Sequence, residues 1–117
     1  MVPHVLGSYR AYLDTCTSWE LIKNSTELFV CFGGVPLKNG QICQGGTGNH
    51  YQKESIISAA SSGIEFVNVS PLKSDLMDEA GGKWLSLRPN TDTALMLGIA
   101  HTLHIEGLSD KDFLNKY

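Results

Sequence analysis

Glu27-Leu28-Phe29-Val30-Cys31-Phe32-Gly33-Gly34 decides the fold. After Glu27 the run is continuously apolar, it has the length of one strand, and it stops at paired glycines. A solvent-facing strand would alternate polar and apolar positions, and a helix would be longer with a 3.6-residue period. The run therefore predicts a strand buried on both faces of a parallel sheet. Two more strands follow: Ile64-Glu65-Phe66-Val67-Asn68-Val69, ended by Pro71, and Lys83 to Leu87, released by Gly81-Gly82. A helix from about His50 to Ser62 stands between the first two, with Ile56, Ile57, Ala59 and Ala60 facing inward and Gly63 as its stop. Ser74 opens a short helical turn from Asp75 to Ala80 before the third strand.

Outward from this centre, Thr17 or Ser18 caps a short helix carrying Trp19, Leu21 and Ile22, whereas Val2 to Thr17 has no clear period. Downstream, Pro89 breaks the third strand, Asn90-Thr91-Asp92 opens an apolar helix that ends at Gly107, and Ser109-Asp110 opens a last short one. Strand, helix, strand, turn, strand, helix implies right-handed crossovers and an α/β fold, a three-layer Rossmann-like domain with a small parallel sheet. The 117 residues suit one domain over 1–117, long enough to bury roughly two thirds of its unfolded surface.

With 42% apolar and 18% charged residues the chain reads as globular. Its net charge is -3 and its basic residues are scattered, so no stripe fits a nucleic-acid backbone. No run approaches the ~20 apolar residues of a membrane span, and Met1-Val2-Pro3-His4-Val5 does not open a signal peptide. Neither nucleic acid nor membrane is an expected partner. Cys16, Cys31 and Cys43 are an odd, sparse set that suggests reduced thiols, with Cys31 a small buried hydrophobe.

In open parallel sheets, ligands bind beyond the carboxyl ends of the strands. The residues there are Phe32-Gly33-Gly34-Val35-Pro36, then Asn68 through Asp75, then Arg88-Pro89-Asn90-Thr91-Asp92. Paired glycines let backbone come close to a phosphate. Lys73 and Arg88 add positive charge, and Asn90, Thr91 and Asp92 can address a base or ribose. Each has a plainer reading. Thr91 and Asp92 suit any helix start, where a cap and a first-turn acid stabilise by ~1 kcal/mol, and Gly33-Gly34 suits any turn. Gly45-Gly46-Thr47-Gly48 sits too far beyond the strand to cradle a phosphate, so turn chemistry fits better. His101 and His104 have metal-like spacing without a third ligand and read as core or boundary residues; Met77 and Met96 read as core filler. No catalytic set and no metal set is complete in these residues.

The stretch from Arg88 to Leu103 resembles the Arg-Pro-x-Thr-Asp-x-Ala-Leu-Met-Leu-Gly-x-Ala-His-Thr-Leu signature of the bacterial molybdenum S- and N-oxide reductases, the dimethyl sulfoxide, trimethylamine N-oxide and biotin sulfoxide enzymes. Phe32-Gly33-Gly34-Val35-Pro36 is similar to that family's Trp-Gly-x-(Asn or Asp)-Pro loop. Ser70-Pro71-Leu72-Lys73 is similar to its (Asp or Asn)-Pro-x-Arg loop. The likeness runs from Pro3-His4-Val5 through Trp19 to Asp110–Leu114, essentially the whole chain. It implies a fragment of a larger molybdenum oxidoreductase, a single dinucleotide-binding α/β domain holding part of one of two molybdopterin guanine dinucleotides. The implied cofactor contacts are Gly33, Gly34, Pro36, Ser70, Pro71, Lys73, Pro89, Asn90, Thr91 and Asp92.

The resemblance places the molybdenum-ligating serine upstream of Met1, so the fragment alone is expected to be inactive and to lack the bis(molybdopterin guanine dinucleotide) that the parent carries. Three departures weaken the expected grip: Val35 for a polar residue, Ser70 for a carboxylate or amide, and Lys73 for the forked arginine. The remaining domains of the parent are the expected partners. Leu95, Met96, Leu97, Ile99, Ala100, Leu103 and Ile105 surround so much of their helix that self-association is expected as well. The alternatives are a stand-alone Rossmann-like nucleotide-binding module and a structural interaction module.

Overall fold

The computed structural model describes residues 4, 7, 8, 10, 17–43 and 46–116. Helix α1 (Trp19–Ser25) starts at Ser18, whose Oγ accepts the Leu21 N–H at 3.3 Å. Strand β1 (Leu28–Phe32) follows. A 3-10 turn (Leu37–Gln41) then leads to β2 (Ile42–Cys43), which pairs antiparallel with β3 (Gly46–Thr47). Next come α2 (Gln52–Ser61), β4 (Glu65–Ser70), 3-10 turns at Lys73–Asp75 and Asp78–Ala80, and β5 (Lys83–Ser86). Helices α3 (Asp92–Ile105) and α4 (Lys111–Lys116) complete the order. The opening Val2–Thr17 stretch, Cys16 and Gly45 fall largely or wholly outside the described residues.

The main sheet is three-stranded and parallel, in the order β1-β4-β5, with Cys31 opposite Asn68 and Asn68 opposite Trp84. This is the expected small α/β domain, a parallel sheet flanked by helices. Its core sits on one face. Cys31 and Phe66 from the sheet meet Ile56 and Ala59 from α2 and Leu76 and Ala80 from the β4–β5 connection. Trp19 stacks on Phe29 at 5.8 Å between ring centroids, and Phe29 tilts onto Phe66 at 5.3 Å, which ties α1 to the same face. Of the residues expected to face inward from α2, Ile56 and Ala59 are buried; Ile57 and Ala60 are half-buried.

Burial of β1 on both faces is not what the structure shows. Leu28, Val30 and Phe32 are 54, 42 and 39% exposed, while Cys31 between them is buried. The reason is topological. Both crossovers step the same way across the sheet, so right-handed connections put α2 and the 3-10 turns on one side. On the other side β1 is only partly covered, although Val69 of β4, beside Phe32 on that face, is 2% exposed. Helices α3 and α4 likewise contain no buried residue, although α3 presents Met96, Leu97, Ile99, Leu103 and Ile105. Met96 is therefore not core filler here, and His101 and His104 are exposed rather than core or boundary residues.

The expected helical turn from Asp75 to Ala80 is instead two 3-10 turns. Leu76 and Met77 are extended between them, and Leu76 is buried in the core. Driving that leucine inward breaks the helical path. Cys31 is buried and its thiol pKa is pushed up to about 11 by that burial, as befits a small core residue.

Candidate functional site at the strand ends

Because the three strands are parallel, their three C-terminal loops emerge along one edge of the sheet, and hydrogen bonds join them in series. The Gly33 N–H donates to Val69 O at 2.9 Å, and the Val35 N–H donates to Asp75 O at 2.7 Å. On the other side, Ser70 O accepts from Trp84 Nε1 at 2.9 Å and from the Leu87 N–H at 3.5 Å. A continuous rim results, running from the β1 loop through the β4 loop to the β5 loop.

The first loop turns on Gly33 (φ 79°) and Gly34 (φ 78°), both in the left-handed region that glycine adopts without strain. The two have different surroundings. A Cβ on Gly33 would meet open space, so a ligand can lie directly against it. A Cβ on Gly34 would fall 2.3 Å from Asp75 Cβ and 2.6 Å from Asp75 O, so this glycine lets the first two loops pack together. The N–H groups of Gly33 and Gly34 both donate to strand carbonyls, of Val69 and Cys31. Close approach over Gly33 is thus available to a phosphate, whereas these two backbone donors are already engaged. Pro36 is half-buried beside this turn.

In the second loop Ser70 is 1% exposed. Its hydroxyl donates to Asp75 Oδ2 and accepts the Leu72 N–H at 3.3 Å. The expected contact residue is thereby tied into its own loop. Asn68, one step earlier on the same sheet face, donates through Nδ2 to Leu72 O at 3.3 Å and Lys73 O at 3.1 Å. Pro71 and Lys73 stand exposed on the loop surface. Lys73 also borders a pocket of about 270 Å³, shared with Asn68, Met77, Asp78, Gly82 and Trp84. Asn68 Oδ1 is buried and has no hydrogen-bond partner among the described residues.

In the third loop Asn90 takes φ 64°, a left-handed turn that asparagine tolerates better than most residues. Thr91 precedes α3, but its hydroxyl donates back to Arg88 O at 2.7 Å and caps no helical N–H. The cap expected from Thr91 is replaced by this closed turn. Asp92 begins α3, half-buried, with its carboxylate in no hydrogen bond or ion pair among the described residues. Lys73 and Arg88 form no ion pair among the described residues either. Among the described residues Lys73, Arg88 and the Asp92 carboxylate therefore stand without an ion-pair partner along a single rim. Pro89 and Asn90 are exposed between them. Asp75 carries no separate signal in the sequence and becomes visible only as the partner of Ser70.

Among the described residues no group of three or more histidine, cysteine, aspartate or glutamate side chains converges on one point. No described helix is long and apolar enough to cross a membrane.

No family model matches the chain. Individual proteins do. A biotin sulfoxide reductase of Cereibacter sphaeroides is 37% identical over 111 residues, covering 95% of this chain and 15% of that protein. A trimethylamine-N-oxide reductase of Haemophilus influenzae is 38% identical over 120 residues, covering 100% of this chain and 14% of the relative. A dimethyl sulfoxide/trimethylamine N-oxide reductase of Cereibacter sphaeroides is 34% identical, over 97% of this chain and 14% of its own length. Three differently named reductases thus share one aligned segment with this chain, and the chain spans only that small part of each. The chain is thus similar, over almost its whole length, to one segment of S- and N-oxide reductases.

Proposed function

We propose that this chain is the part of a molybdenum-dependent S- or N-oxide reductase that holds one end of a molybdopterin guanine dinucleotide. The observation that carries the reading is the rim itself: among the described residues Lys73, Arg88 and Asp92 have no ion-pair partner, and they stand at the strand ends of a parallel sheet, where dinucleotides bind in such folds. The residues fit such a ligand in kind. Gly33 admits it closely, Lys73 faces its phosphates, and Asn90 and Asp92 face the guanosine end. A carboxylate such as Asp92 accepts both the ring N–H and the exocyclic amine of guanine, a pairing that adenine cannot copy. Pro36, Pro71 and Pro89 shape the loops. Ser70 acts through its loop, and Thr91 through its turn.

The cofactor, when bound in a complete enzyme, supplies the two-electron oxygen-transfer chemistry; the protein binds and orients it. This chain alone offers one wall of the cage, so it binds weakly and turns over no substrate. The reading also makes 1–117 one dinucleotide-binding domain, with the reductase's other domains as its partners. A structural interaction role stands second, favoured by the exposed apolar surface of α3.

The test is a chimera in which this chain replaces the matching segment of the Cereibacter sphaeroides biotin sulfoxide reductase. Molybdenum, released guanosine monophosphate and melting temperature are measured on the same samples. Asp92→Ala is expected to lower metal and nucleotide together, with activity falling in proportion. Full occupancy with only a lower melting temperature would leave Asp92 as a helix-start residue and sink the reading.

A further inference from the structure

We infer that Asp75 is a ligand-contacting residue of the same rim, accepting hydrogen bonds from the vicinal hydroxyls of a ribose. The inference rests on the dinucleotide reading above and adds a residue and a chemical group to it.

Three observations converge on this side chain. First, Asp75 is fixed at the seam between two loops: its carbonyl accepts the Val35 N–H at 2.7 Å, and Gly34 lacks the Cβ that would collide with it. Second, only half of its carboxylate is engaged. Oδ2 accepts from Ser70 Oγ, while the other oxygen has no partner among the described residues, and the residue is only half-buried. Third, no cation neutralises it among the described residues, and nearby Lys73 is likewise free. A half-buried carboxylate held by one oxygen, with the other unpartnered among the described residues, next to a glycine turn, is a ready acceptor for hydroxyl donors. Rossmann-type sites place an acid against ribose hydroxyls in this way. Ser70 cannot serve instead, because it is buried and its hydroxyl both donates and accepts within the loop.

The experiment uses the chain itself, titrated with guanosine diphosphate and with its 2′,3′-dideoxy analogue and followed by amide chemical shifts. The diol form is expected to bind about tenfold more tightly, the value of one charge-assisted hydrogen bond in an open site. In Asp75→Ala that preference should collapse to about one, with affinity for the dideoxy analogue unchanged. If Asp75 only holds the loop, both ligands weaken together and the preference survives, which overturns the inference. Asp75→Asn keeps an acceptor for Ser70 and guards against loss of the loop; an undiminished preference there has the same consequence. Equal binding of the two ligands by the unsubstituted chain removes the ribose contact while leaving the dinucleotide reading intact. No shift along the rim with either ligand, at concentrations well above those of a weak site, overturns both.

Discussion

Two apolar helices of this molecule meet opposite fates. Helix α2 is the shorter and buries Ile56 and Ala59 against the sheet; α3 is longer and more apolar and buries nothing. The difference teaches that hydrophobic content does not by itself bury a helix; a partner surface must be in place. Helix α2 lies in a crossover, so the strands it joins force it onto the sheet. Helix α3 follows β5, and among the described residues no further strand of the sheet comes after it. Helices that are apolar on nearly every side are typically buried ones. The relatives, of which the match spans only 14–15%, are much longer proteins.

The comparison can be broken most sharply by large-to-small substitution. Phe66→Ala should cost about 3–5 kcal/mol in chemical denaturation, whereas Leu97→Ala on α3 should stay within about 0.5 kcal/mol. A comparable loss at Leu97 would mean that α3 is packed in solution. Next in size is the loop seam. Gly34→Ala should destabilise by about 2 kcal/mol or more, since it joins an unfavourable φ to a collision with the Asp75 backbone, while Gly33→Ala meets only the backbone cost of about 1 kcal/mol. Equal losses at the two positions would deny the seam.

Cys31 extends the comparison to pH. Burial raises its thiol from 9.0 to about 11, so the folded state favours the neutral form. Its contribution to stability is complete below pH 9.0 and is lost as pH rises towards about 11. Alkylation of Cys31 at mildly alkaline pH should therefore require unfolding, and a fast reaction in the native chain would contradict the burial. Smallest in stability, though not in behaviour, is the double substitution Leu97→Lys with Ile105→Lys. It should leave the melting temperature unchanged and reduce self-association in a light-scattering concentration series. A chain already monomeric without the substitutions would show that α3 attracts no second copy.

Much of the packed half was legible in the residues. The apolar run at Leu28–Phe32 and the largely apolar stretch Ile64–Val69 announce strands, Gly33-Gly34 and Gly63 announce stops, and Ser18 announces a cap; each is a local signal. The rest depends on contacts between distant segments. One-sided burial of β1 follows from the direction of two crossovers, which no run of residues encodes. The split of the Asp75–Ala80 turn follows from where Leu76 must go. At the rim, the loops could be located from strand ends, but the division of labour could not. Ser70 looks like a contact residue until Asp75 is seen to occupy its hydroxyl, and Thr91 looks like a cap until its hydroxyl turns back to Arg88.

Trp84 gives this rim an optical reporter. Its indole N–H is held by Ser70 O while much of its ring stays in solvent, so its emission is sensitive to both the order of the β4 loop and the polarity over it. Trp19 lies in the other half, stacked on Phe29. With Trp19→Phe as background, the remaining fluorescence comes from the strand ends alone. A quencher such as iodide, or energy transfer to a labelled nucleotide, then reads the rim separately from the core.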